Sequence, residues 1–67
     1  MKLISIVHED EDVGYWAEVP ALPGCASDGL TMDELRANLI VIINEWFEVA
    51  NSRYELGEGD QVIEIEV

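Results

Sequence analysis

Cys25, His8 and the acidic run Glu9–Asp12 are the residues of this chain whose types could do chemistry. A thiol nucleophile needs an activating base and a third group that orients that base. The chain holds a single Cys and a single His. Strand periodicity groups His8 with Ile4 and Ile6 rather than with Cys25, so His8 reads as a strand residue at a sheet edge or interface. Cys25 reads as a small apolar filler after a turn. The same pair is too few for a tetrahedral zinc site. The acidic run fails as a calcium loop, which needs Asp-x-Asx-x-Asx-Gly and a later bidentate Glu. Counted from Asp10, Asp12 fits the third position, but Gly14 occupies the fifth. No catalytic group, metal or cofactor is therefore expected, and the run reads as the solvated turn of a hairpin.

That hairpin defines the first elements. Lys2–Glu9 reads as a strand, with Ile4, Ile6 and His8 on one face and Leu3, Ser5 and Val7 on the other. Gly14–Val19 reads as its antiparallel partner, with Tyr15, Ala17 and Val19 on one side and Trp16 and Glu18 on the other. Pro20 ends it, because proline has no N–H for the ladder. Pro23-Gly24 marks a turn, and Cys25–Asp28 is a short third strand. Thr31-Met32-Asp33-Glu34 is a capping box, in which the Thr hydroxyl accepts from the amide at N3 and Glu34 reaches back. The helix runs to about Ser52. Leu35, Leu39, Ile42, Trp46 and Val49 line one face, and Ile40, Ile43, Phe47 and Ala50 widen it to roughly half the circumference. That is more than one small sheet can cover. A Gly-containing loop follows, and Gln61–Val67 alternates cleanly, with Ile63, Ile65 and Val67 opposite Glu64 and Glu66. The expected architecture is α+β, in the order β-β-β-α-β, with one long helix on a small, mostly antiparallel sheet.

The 67 residues make one domain, residues 1–67, with 49% apolar content. A chain this short buries only roughly 60% of its unfolded surface, and no disulfide or metal is on hand to support it. Association is the remaining route to burial, so a homo-oligomer, dimer or higher, is expected. Fifteen acids against three bases give a net charge of −12. Such a surface repels nucleic acid, whose binding relies on Lys and Arg, and is disfavoured on anionic membranes. It attracts a basic protein. No signal peptide or membrane-spanning stretch is read, and a reduced, cytoplasmic setting is expected from the unpaired Cys25.

The stretch from Gly14 to Thr31 and the helix after it carry a family pattern. Tyr15, Ala17, Val19, Pro20, Leu22, Pro23, Gly24, Cys25, Gly29, Thr31, Glu34, Asn38 and Trp46 match it. In these residues the chain resembles the HicB-like antitoxin domain, whose signature is an aromatic-Ala-x-Val-Pro-x-Leu-Pro-Gly-Cys strand and turn. The resemblance implies a partial RNase H-like fold and a binding partner, a small basic ribonuclease of the HicA type. It also implies that Cys25, in the Pro-Gly-Cys signature, is structural. Two-metal nuclease chemistry needs carboxylates held together, and Leu3–Val7 offers none at the strand position where the catalytic fold has one. The helix-turn-helix or ribbon-helix-helix domain that usually follows for operator binding is not expected, since the chain reaches Val67 directly after the last strand. Two positions depart from the pattern, Leu30 where Asp is usual and Leu35 where Ala is usual.

The expected function is thus a protein-binding module that neutralises a basic toxin and is not an enzyme. Glu9, Asp10, Glu11, Asp12 and Glu18, with Trp16 as a hot-spot type of side chain, are the candidate partner contacts. Trp16 could equally lie in a seam between copies. The alternative is a freestanding homo-oligomer with no catalytic activity. Its candidate seams are Ile40 and Phe47 on the helix, or Ile63 and Ile65 on the last strand, whose unpaired backbone invites pairing.

Overall fold

Local turn chemistry builds the sheet. The computed structural model describes residues 2–67. Strand β1, Ile6–Asp10, pairs antiparallel with β2, Gly14–Glu18, from Ile6 opposite Glu18 to Asp10 opposite Gly14. The Asp10 carboxylate closes the hairpin, with Oδ1 accepting from the amides of Asp12 at 2.8 Å and Val13 at 3.3 Å. Gly14 then takes φ +89°, where a side chain is disfavoured. Strand β3, Ala26–Gly29, adds antiparallel to β2, giving the order β1-β2-β3.

Between β2 and β3 the chain folds a plug into the core. Leu22 N–H donates to the Val19 carbonyl, Cys25 N–H to the Leu22 carbonyl, and Val19 N–H to the Cys25 carbonyl, each at 3.0 Å. Pro23 and Gly24 are the central residues of the second turn. Proline presets φ at the first, and glycine supplies φ +80° at the other. The loop thereby drives Val19, Leu22 and Cys25 into the core beside Ala17, Leu35 and Leu39.

Helix α1, Met32–Ser52, starts where Thr31 Oγ1 accepts from the Glu34 amide at 3.2 Å. The reciprocal bond from Glu34 expected of a capping box is not formed among the described residues, so the cap is half of one. Asp33 and Glu34 complement the positive helix end. The first turn lies directly on β3. A Cβ added to Gly29 would stand 2.5 Å from the Leu35 amide nitrogen, and Leu35 itself is 1% exposed. Two side chains tie the helix to the layer below. Asn38 Nδ2 donates to the Asp28 carbonyl at 2.8 Å, and Trp46 Nε1 to the Pro23 carbonyl at 3.0 Å. Trp46 also meets Phe47 edge to face, ring centroids 5.5 Å apart.

The α+β class and the order of three antiparallel strands followed by one long helix agree with the sequence expectation. The terminal segment differs. Gln61–Val67 makes no ladder and lies outside the sheet. A turn at Gly57–Asp60, closed by Asp60 N–H to the Gly57 carbonyl at 3.1 Å, aims it back along the end of the helix, and no free strand is there to pair with. No helix among the described residues is long and apolar enough to cross a membrane.

Gly29→Ala should destabilise the domain by about 1–3 kcal/mol, because the helix must lift off β3 to admit a methyl group. Gly57→Ala meets only the flexible Asp60 carboxylate and should change stability by less than about 0.5 kcal/mol. Urea midpoints of the two variants check this.

Candidate functional site

The two groups with nucleophile and base chemistry are held on opposite faces of the sheet. Cys25 is 3% exposed in the core, and burial pushes its thiol above the ordinary value of 9.0. The thiolate, not the thiol, is the reactive species. His8 lies opposite Trp16, on the face away from the buried Ala17. Among the described residues no three of His, Cys, Asp and Glu converge on a metal position.

Trp16 and Glu18 do come together, with His8 between them. The His8 and Trp16 rings stack with centroids 4.1 Å apart and planes 17° from parallel. His8 Nε2 meets Glu18 Oε1 at 3.3 Å. Both ends of that contact are well exposed, so solvent screening holds it to less than about 1 kcal/mol. Ile6, His8, Trp16 and Glu18 thus form a sheet face turned away from Ala17 and the core, with an aromatic pair at its centre.

The acidic run sits at the end of the β1–β2 hairpin, apart from the Glu18 contact. Asp10 is engaged in the turn, which leaves Glu9, Glu11 and Asp12 projecting into solvent. Among the described residues none of them meets a Lys or Arg. The run also has an apolar neighbour. The Leu30 carbonyl would lie 2.8 Å from a Cβ on Gly14, and this close backbone approach brings Leu30 beside Glu9, Asp10 and Glu11 around a shallow concavity. Leu30 is 70% exposed. It stands just before the helix cap, a position from which an apolar residue ordinarily staples onto the first turn. Here Leu35 is sealed against Gly29, and Leu30 points away. The sequence marks Leu30 only as a departure from a family pattern. Its placement beside the acids depends on Gly14, and no local motif encodes that.

The remaining candidates divide. Phe47 is half-buried against the core and Ile40 is exposed on the same flank of the helix. Ile63 and Ile65 are 74% and 70% exposed, on the segment outside the sheet. A further groove, lined by Pro23, Cys25, Ile42, Trp46, Val49 and Arg53, runs between the plug loop and the helix.

The Cys25 thiol should react with a disulfide reagent on the order of ten-fold or more slowly in the native chain than in the unfolded chain, at any pH below its ordinary value. Stopped-flow thiol titration with and without denaturant measures the ratio. Equal rates would place Cys25 at the surface.

No family model matches the chain, and no solved structure matches it. Curated relatives do. A UPF0150 protein of Archaeoglobus fulgidus is 37% identical over 67 residues, covering 97% of this chain and 96% of the relative. A UPF0150 protein of Thermoplasma acidophilum is 37% identical over 67 residues, covering 100% and 97%. One of Synechocystis is 32% identical over 47 residues, covering 70% of this chain and 64% of the relative. Similarity that spans the hairpin, the plug loop, the helix and the terminal segment alike makes this chain a member of the UPF0150 family.

Proposed function

We propose that this protein is a protein-binding module of the antitoxin type, which masks a small basic ribonuclease of the HicA kind, and that it acts in the cytoplasm. The reading is supported chiefly by one observation. Three carboxylates at the end of the hairpin, Glu9, Glu11 and Asp12, face solvent without a Lys or Arg partner among the described residues, and two of them, Glu9 and Glu11, lie beside the exposed Leu30. An apolar contact with a charged rim is how stable interfaces are built, and complementary charge speeds and orients the encounter. The net charge of −12 extends the same field over the whole surface. In this account Leu30 supplies the apolar contact. Glu9, Glu11 and Asp12 meet Lys or Arg side chains that the ribonuclease would otherwise present to RNA. Asp10 contributes by holding the turn. Trp16 and Glu18 form a separate patch on the helix-free sheet face. The chain's own role is occlusion, with no bond made or broken.

The tagged chain should capture a small basic protein from its native extract at low salt and release it at high salt, and the released protein should cleave RNA. Glu9→Lys, Glu11→Lys and Asp12→Lys together should lower capture on the order of ten-fold or more while leaving the thermal midpoint within a few degrees. Capture that is indifferent to both salt and the three substitutions would remove the proposal.

A further inference from the structure

We infer that segment Gln61–Val67 is a strand donated to a second copy of this chain, where it pairs with the outer edge of β1 and seats Ile63, Ile65 and Val67 under the flank of the partner's helix. The starting observation is surface. The chain exposes 5870 Å², against roughly 4,200 Å² for a compact monomer of its mass. Its radius of gyration is 15.6 Å, against about 11 Å for a compact domain of this length. The excess, about 1,600 Å² per chain, exceeds the roughly 800 Å² per partner that a stable interface buries.

The helix explains why the segment lies beyond its own sheet. Twenty-one residues span about 31 Å, whereas the five-residue strands span roughly 17 Å. The helix therefore overshoots, and the segment after it returns only as far as Asn51 and Tyr54. It arrives with period-two alternation and an unpaired backbone.

The acceptor is on the same chain. Of the two sheet edges, that of β3 is occupied, since Asn38 bonds the Asp28 carbonyl and the first helical turn lies on Gly29. The β1 edge is open among the described residues, and the helix contacts β3 and β2 rather than β1. Asn38 on the β3 side fixes the helix rotation. At about 100° per residue, Ile40, Ile43 and Phe47 then project towards the β1 side. Leu3 and Val7 share that side of the sheet with Ala17. A strand added at β1 would place Ile63, Ile65 and Val67 between these two apolar rows, with Glu64 and Glu66 turned to the helix-free face. The segment needs an open edge with an apolar flank, and the edge needs an alternating apolar strand. One chain carries both, which is the requirement for a closed two-fold pair. The inference does not rest on the antitoxin reading, because Glu11, Asp12 and Leu30 lie outside β1 and only Glu9 and Asp10, at its far end, border this seam. Salt separates the two. Screening weakens capture of a basic partner but relieves repulsion between two acidic copies.

Sedimentation of the full chain should give twice its 7.5 kDa mass, with association strengthened by salt. Ile63→Glu with Ile65→Glu should shift the mass to one chain. A second test leaves the apolar seam intact. Chains carrying only Ile6→Cys, mixed with chains carrying only Glu64→Cys, should be joined to each other by a short bismaleimide. A full-length chain that sediments as a monomer overturns the inference. So does a dimer that survives both glutamates, and so does a mixture of the two cysteine variants in which no link forms between the Ile6→Cys chain and the Glu64→Cys chain.

Discussion

The first turn of the helix lies against the backbone of β3, and that approach depends on Gly29 having no side chain. A methyl group there would collide with the Leu35 amide and α-carbon. Because the gap is closed, Leu35 becomes the deepest large side chain, and Leu39, Ile42 and Trp46 follow it across the sheet at helical spacing. The Thr31 cap fixes the point of entry, and Asn38 fixes the rotation. With both set, the apolar arc is divided. One part covers β2, β3 and the plug loop, and the rest is left over towards β1.

That division links fold to function. The inner part of the arc is saturated by Ala17, Val19, Leu22 and Cys25. These are the residues that the Ala-x-Val-Pro-x-Leu-Pro-Gly-Cys stretch contributes, so the most conspicuous motif of the chain is spent on its core. The two successive turns, Val19–Leu22 and Leu22–Cys25, with the Trp46 indole bonded to the Pro23 carbonyl, form a latch that keeps this loop under the helix. What remains for recognition lies elsewhere, in the hairpin acids with Leu30, the His8–Trp16 stack and the unpaired terminal segment. All three are exposed on the described surface.

Most of the layout was legible in the sequence. Alternation identified Lys2–Glu9 and Gly14–Val19 as partners. Strand β2 ends one residue earlier than that, at Glu18. Strand β1 begins only at Ile6, four residues later than expected, because β2 stops opposite Ile6 and leaves Lys2–Ser5 without a ladder partner. Thr31 announced the helix, and Cys25 was correctly read as apolar filling. Trp16 and Glu18 were placed together on one strand face, although their engagement with His8 needed the cross-strand register. Leu30 was not legible as a surface residue, because its setting depends on how closely the Gly14 backbone passes it. Gln61–Val67 shows the limit of periodicity. The pattern says that a segment is suited to be a strand and does not say which edge receives it.

The claim that joins these parts is that the terminal segment finds its edge on another copy. Amide hydrogen exchange across a concentration series tests it most directly. The account predicts that alternate amides of Val62–Glu66 and the outward amides of β1 are protected together at high concentration and lose protection together on dilution, while β2 is unchanged. Exchange of Val62–Glu66 at the rate of an unstructured peptide at every concentration would contradict it.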